Sequence, residues 1–460
     1  MKIATLAFAG SESSLGLTIV SDAVHREFPE AEIKWATEPS IAKEADYLFV
    51  SLYWWKDVFE LVRYLATFGI DPRKKKPTII IGGMAVVNPR PIKGYFHYCV
   101  IGDGEEVIVP LLKRIEAGEP VDDLVGVWNE TSCEHANKEI LEPICHIDLR
   151  TNKTTRIEIA RGCKQMCDFC QLAWSKPYRE LGYEQINHLL VTAKTKNVAL
   201  FCPDTWSHSQ AEKILARAAQ LGKNNTGTDV RLDMLDKIST ANAMRFGLEG
   251  FSEKTRRRFR KVKSNADFQR LFVRMASDVK TPKGKSLTTA TMYMIGDLPG
   301  EGQADVDEFW QQMIEIDRQL KQKFTLFLSV SSFTPSPFTP MWCCPINLEI
   351  PFKAMLDKNR PRLEHIVIAS RGAVRKPAPR LCQMMTIRGD ERLSRVIFWL
   401  ATKAWSVIES TKPEDGEIVK SACKAAGYDW TDLVREYDHD EMPPWGHIRT
   451  FSDAWRTRAW

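Results

Sequence analysis

No apolar run in this chain approaches the roughly 20 residues needed to cross a bilayer. The longest, Val100 to Leu112 and Phe324 to Val330, are interrupted by charge or far shorter, so no transmembrane helix is expected. A secretory leader is not expected either. Lys2 precedes an apolar stretch, but that stretch ends at Ala9 and polar residues follow at once, which suits a buried first strand better. Charge of one sign is missing too: 64 Lys+Arg stand against 59 Asp+Glu, a net +5 over 460 residues, which gives no electrostatic case for duplex binding. Low-complexity tracts and internal repeats are absent, and 44% hydrophobic with 27% charged residues excludes a largely disordered chain. A disulfide framework is lacking as well. The eleven cysteines are odd in number and three are clustered, which suits reduced thiols, a metal site and a cytoplasmic protein.

What is present is a long α/β pattern, enough for two or three domains. Lys2–Phe8, Glu32–Trp35, Tyr47–Leu52, Thr78–Ile81 and Tyr98–Ile101 read as short buried strands. Helical stretches lie near Leu15–Phe28, Asp57–Phe68 and Glu105–Glu116. That rhythm predicts a doubly wound parallel sheet over residues 1–125, whose ligands belong at the carboxyl ends of the strands. Those ends carry Gly10 and Ser11, Ser51 and Tyr53, Gly82 and Gly83, then Gly102 and Gly104.

A linker over 126–154 leads to a second βα series over 155–343. Its strands are Thr155–Ala160, Val198–Phe201, Asp229–Leu232, Arg245–Leu248, Thr289–Ile295 and Thr325–Val330. Six units predict a partial (β/α) barrel with its chemistry at the strands' carboxyl ends. Residues 344–460 read as mainly helical, with helices expected over Phe352–Ala369, Arg392–Thr411 and Glu417–Ala426.

Directly after the first barrel strand stands CxxxCxxC, formed by Cys163, Cys167 and Cys170. Three thiolates on one loop can hold three irons of a [4Fe–4S] cluster and leave the fourth open. Structural zinc is the rival, with Cys145 and His146 as the nearest extra ligands.

With Phe169 before its last cysteine, this motif resembles that of the radical S-adenosylmethionine superfamily. The resemblance implies that the open iron binds S-adenosylmethionine and that reductive cleavage gives a 5′-deoxyadenosyl radical. FCPDTWSH, RLD, GLEGFSEKTRRRFRK and MIGDLPGEG follow in the expected order. By that likeness Asp204, Arg231, Glu249, Ile295 and Gly296 join Phe169 as cosubstrate contacts. Structural salt bridges are the alternative for the charged ones, and the basic run Arg256 to Lys263 reads as a solvated face.

The first sheet, with GG after its fourth strand and GDGEE after its fifth, resembles the cobalamin-binding domain of cobalamin-dependent members. The likeness implies that Ser51, Gly82, Gly83, Gly102, Gly104 and Glu105 line the cofactor. Ser331–Trp342 and RGDERL at Arg388–Leu393 resemble the tails of this subgroup. One feature departs: the loop after the first strand reads GSESSLG rather than DxHxxG, and His25 comes only inside the next helix. Tyr53, then Trp54, in SLYWWKD are therefore the expected residues beneath the corrin, with core packing as the alternative.

The resemblance implies a C-methyltransferase using methylcobalamin, with a ferredoxin or flavodoxin as electron donor. Alternatives are a radical rearrangement or ring contraction, or a non-enzymatic cobalamin-binding protein. Trp445, Trp455 and Trp460 among Arg449, Arg456 and Arg458 suggest a docked peptide or protein substrate, with core packing as the alternative, and on class alone methyl-coenzyme M reductase is the named expectation.

Overall fold

The computed structural model describes residues 1–8, 14–147, 153–225, 229–241, 243–261, 264–281, 283–348, 352–371 and 376–457. The expectations for Gly10, Ser11, Lys263, Arg458 and Trp460 lie outside these residues. Five parallel strands, β1 (Lys2–Ala7), β2 (Glu32–Trp35), β3 (Tyr47–Ser51), β4 (Thr78–Gly82) and β5 (Tyr98–Val100), form the first sheet in the order β2-β1-β3-β4-β5. Central strands are buried on both faces, as in Tyr47, Leu48, Phe49 and Val50, because helices cover both. Helices α1 (Leu15–Glu27) and α3 (Gly104–Ala117) pack on the face bearing Ile3, Phe49 and Ile80. Helix α2 (Trp55–Phe68) packs on the face bearing Leu48, Val50 and Ile81.

Barrel strands β6 (Thr154–Glu158) and β7 (Asn197–Phe201) pair in parallel in one sheet. Strands β8 (Asp229–Arg231), β9 (Met244–Glu249), β10 (Thr289–Gly296), β11 (Phe324–Ser332) and β12 (Ile366–Arg371) form the next, also parallel. Here burial alternates strictly: β9, β10 and β11 bury every second side chain against helices α4 (Asn265–Asp278) and α5 (Gln303–Gln319). The intervening residues, among them Tyr293, Ile295 and Ser329, are only half-buried, and Ser331 is exposed. Period-two burial in a parallel sheet means that its inner face is not filled by its own side chains, unlike a closed eight-stranded barrel.

Strand β12 corrects the helix expected over Phe352–Ala369. That helix stops at Lys358, because Pro361 disfavours helical geometry at Arg360 and the β-branched run Ile366-Val367-Ile368 pairs with β11 instead. Near the end of the chain, α6 (Pro377–Arg388) and α7 (Ser394–Lys403) pack on α2 and α8 (Asp415–Ala425) packs on α6, so the far end of the chain shares one core with the first sheet. Asn88 Nδ2 donates to the carbonyls of Ile387 at 3.1 Å and Gly389 at 2.7 Å across this junction.

Trp445 and Trp455, expected to dock a substrate, are 1% exposed. They pack on each other at 5.1 Å and against Phe338 and Trp342. Their spacing is that of a core. Among the described residues no helix is long and apolar enough to cross a membrane.

Gly83 is likewise fixed by the backbone. It has φ +109°, and a Cβ there would sit 2.5 Å from the Leu52 carbonyl. Gly83→Ala should therefore destabilise the first sheet, read as a lowered urea midpoint; an unchanged midpoint would show that the loop can move aside.

Candidate active site

The cysteine loop leaves the barrel just after β6. Gly162 makes this possible: at φ +76°, a Cβ would meet the Pro177 carbonyl at 2.2 Å. Within the loop, Cys170 N–H donates to the Cys167 carbonyl at 3.0 Å, as does Trp174 Nε1. Cys170 caps a short helix, Gln171–Ser175, and its carbonyl accepts Ala173 N–H at 3.1 Å. Burial raises all three thiols, Cys170 to about 12. Such sulfurs ionise when a cation is supplied to them. Among the described residues no three His, Cys, Asp or Glu side chains converge as ligands of a single ion. A cubane cluster asks for something different, one thiolate at each of three corners.

Around this loop the structure gathers the charged residues of the neighbouring strand ends. Cys163 feels Asp204, Arg231 and Lys261; Cys167 feels Lys261, Arg231 and Glu249. Asp204 follows β7 and accepts from Trp206 N–H at 3.2 Å and Ser207 Oγ at 2.6 Å. Arg231 ends β8 and is held by Asp233 through two bonds of 2.9 Å. Glu249, at the bulged end of β9, has φ +68° and faces Lys261 Nζ at 3.4 Å. Arg231 and Glu249 thus each carry a structural partner while still bordering the cysteine loop.

Lys261 escaped the sequence reading because it closes a basic run taken for a solvated face. The run is not all solvated: Arg256 is 1% exposed and Lys261 turns inward. The available signal was Phe259, whose apolar position anchors the turn against Phe169 at 5.6 Å. Phe169 and Ile295 lean on one apolar cluster of Phe259, Leu298, Phe333, Met341 and Cys344. Gly296 is required by packing, since a Cβ would sit 2.7 Å from the Phe352 ring.

The edge of the first sheet facing this loop is more selective than expected. Ser51 and Gly82 stand side by side at the ends of β3 and β4. Tyr53 and Trp54 follow β3, and Asp57 fixes their backbone by accepting both N–H groups at 2.8 and 2.9 Å. Their rings meet edge to face at 5.0 Å and are 51% and 55% exposed. The core-packing alternative for this pair is thereby removed.

Gly102, Gly104 and Glu105 serve other ends. A Cβ on Gly102 would lie 2.2 Å from the Ala136 carbonyl, and one on Gly104 3.0 Å from Val20. Glu105, expected to line the cofactor, is bound to Arg161 Nη1 at 2.7 Å.

That bond belongs to a buried charge network centred on Asp103. Its carboxylate meets Lys176 Nζ at 2.7 Å, Arg179 Nη1 at 2.7 Å and Arg161 Nη1 at 3.0 Å, and accepts Lys138 N–H at 3.0 Å. Arg161 also pairs with Glu158 at 2.8 Å. Burial opposes ionisation of Asp103, but the three cations outweigh it and hold the carboxyl far below the usual range. Arg161 lies two residues before Cys163 and Asp103 follows β5, so the network fixes the carboxyl edge of the first sheet against the cysteine loop.

Residues 27–123 match the family described as radical SAM proteins, N-terminal. The solved radical S-adenosylmethionine methyltransferase TsrM from Kitasatospora setae, with tryptophan substrate and a SAM analogue bound, superposes with a TM-score of 0.51 at 12% identity. The match covers 74% of this chain and 75% of TsrM. The cobalamin-dependent S-adenosylmethionine radical enzyme OxsB, with aqua-cobalamin and S-adenosylmethionine bound, gives 0.51 at 12% identity over 95% of this chain and 63% of OxsB. The fold is that of the cobalamin-dependent radical S-adenosylmethionine enzymes. An uncharacterized protein of Methanocaldococcus jannaschii is 23% identical over 388 residues, 77% of this chain and 80% of that one.

Proposed function

We propose that this chain is a cobalamin-dependent radical S-adenosylmethionine methyltransferase that places a methyl group on an unactivated carbon. The observation that carries this reading is the Asp103 network. It sets the first sheet's ligand edge, with Tyr53 and Trp54 exposed on it, directly against a loop of three cysteines, of which Cys167 is buried and Cys163 and Cys170 are half-buried. When bound, an iron–sulfur cluster with S-adenosylmethionine supplies hydrogen abstraction and methylcobalamin supplies the methyl group.

The protein's share is orientation and exclusion of water. Cys163, Cys167 and Cys170 would hold the cluster. Asp204, Arg231, Glu249 and Lys261 offer two signs of charge for the ammonium, carboxylate and ribose of the cosubstrate, and Phe169 and Ile295 offer an apolar wall. Tyr53 would stand at the lower face of the corrin, with Trp54 beside it. The tryptophans that pointed to a docked peptide, and with it to methyl-coenzyme M reductase, belong to the core, so the acceptor is specified here only as a carbon lacking an acidic hydrogen. A ferredoxin or flavodoxin would deliver the electron.

Anaerobic incubation with methyl-labelled S-adenosylmethionine, cobalamin, a low-potential reductant and an extract of metabolites and peptides tests the reading. Label on a new product together with 5′-deoxyadenosine is expected. Formation of 5′-deoxyadenosine with no label transferred would favour the rearrangement alternative. Tyr53→Phe should change the optical spectrum of bound cobalamin and slow methyl transfer while 5′-deoxyadenosine still forms. An unchanged spectrum would move attention to Trp54.

A further inference from the structure

Two segments singled out in the sequence, Ser331–Trp342 and Arg388–Leu393, meet at a site that the proposed reaction does not use. Arg388 ends α6 and is 3% exposed. Its guanidinium donates to the carbonyls of Trp342 at 2.7 Å, Cys344 at 2.8 Å and Arg435 at 2.8 Å, and lies over the Tyr437 ring at 4.6 Å. Among the described residues Tyr437, Cys344 and Cys343 carry the leading negative charge toward it, and the Glu441 carboxylate, already bound to Arg435, adds to them. A buried permanent cation calls for a counter-charge, and of the first three groups a thiol ionises most readily.

Cys343 is placed to provide it. Its sulfur lies 3.5 Å from His439 Nε2, and His439 is exposed, so the pair communicates with solvent through the imidazole. The adjacent Cys344 thiol acts on Cys343 and favours its ionised form. Cys344 itself packs into the cluster on which Phe169 of the cysteine loop and Ile295 of β10 lean.

We propose that Cys343 and Cys344 form a peroxide-sensitive dithiol, with Cys343 the attacking thiolate, His439 its proton acceptor and Arg388 its buried counter-ion. In the first step the Cys343 thiolate attacks one oxygen of hydrogen peroxide, the O–O bond breaks, hydroxide leaves and a sulfenic acid forms. In the second, the Cys344 thiol attacks that sulfur, the S–S bond forms and water leaves. Two electrons pass from the two thiols to the peroxide. The Cys344 thiol lowers Cys343 against the opposing effect of burial, with His439 and Arg388 assisting. Cys343, burial and Glu436 raise Cys344. Arg435, the other charged neighbour, is neutralised by Glu441 and Asp432. A covalent ring at Cys344 would change the wall beside the cysteine loop, which gives the pair a route to the proposed active site.

The experiment uses the full chain. It is treated with hydrogen peroxide, quenched by alkylation, and each cysteine is followed by peptide mass spectrometry. The internal comparison is Cys382 and Cys423, a buried pair whose thiols burial pushes up. The peptide holding Cys343 and Cys344 should lose two hydrogens several-fold faster than Cys382 and Cys423 are oxidised. His439→Gln, a change at an exposed side chain, should slow that loss several-fold. In the unmodified protein, alkylation of Cys343 should rise through neutral pH, before that of the other buried thiols. Equal oxidation at the two pairs, no effect of His439→Gln, or sulfenic acid at Cys343 without closure onto Cys344 would each overturn the proposal.

Discussion

Replacing Cys163, Cys167 and Cys170 together with Ala should reduce formation of 5′-deoxyadenosine to background and remove bound iron, while leaving cobalamin binding in place. The thiols are the only part of the loop that the change removes. Its course is set by backbone: the φ +76° turn at Gly162, the Cys170 N–H to Cys167 carbonyl bond and the Trp174 Nε1 bond to the same carbonyl all survive in Ala. The first sheet is packed on both faces, so cobalamin content serves as the internal measure of folding. Iron analysis and product chromatography on the anaerobically purified variant check the result. Cleavage of S-adenosylmethionine at the parent rate would defeat the assignment of the cysteine loop.

Asp103→Asn should be the most destabilising single substitution at the junction between the two sheets. The amide keeps the shape but leaves Arg161, Lys176 and Arg179 facing one another without their central anion. Breaking a buried ion pair on one side costs about 3–5 kcal/mol, most of it the stranded charge. Because the folded carboxyl is depressed, its contribution is present at all pH values above the unfolded Asp range, near about 3.9, and is lost only as the solution falls toward the folded value. The gap between parent and variant should therefore be flat through neutral pH and close in acid. Urea midpoints measured from strongly acidic to neutral solution read this directly. Equal midpoints at neutral pH would mean that the network contributes orientation alone.

The strands were legible because their signal is local. Tyr47 to Ser51 and Thr289 to Gly296 announce themselves by β-branched and apolar runs between turn residues, and the cysteine motif by its spacing. The Asp103 network was not legible, since Lys176 and Arg179 lie more than seventy residues away in sequence and nothing in GDGEE says which charges it will meet. The bond of Glu105 was hidden for the same reason: its partner Arg161 belongs to another sheet. Lys261 and Arg256 were hidden in a basic run whose inward members only the fold separates from the outward ones. Trp445 and Trp455 looked like surface aromatics because their neighbours in sequence are arginines, whereas their neighbours in space are Phe338 and Trp342. The strand at Ile366–Arg371 was absorbed into an overlong helix because apolar spacing alone does not distinguish a short strand from a helical face.

The joint core of α2 with α6, α7 and α8 has a consequence for synthesis. A chain emerging amino end first completes the five strands of its first sheet early, yet helix α2, which lies on one side of that sheet, has its own cover only when residues near 380–455 have been made. The edge strand pairing of Ile448–Arg449 with Cys133–Glu134 closes at the same late moment. Until then the nascent protein carries bare apolar surface, the kind of intermediate that chaperones hold. The first half of the molecule, though first to be made, is among the last parts to be finished.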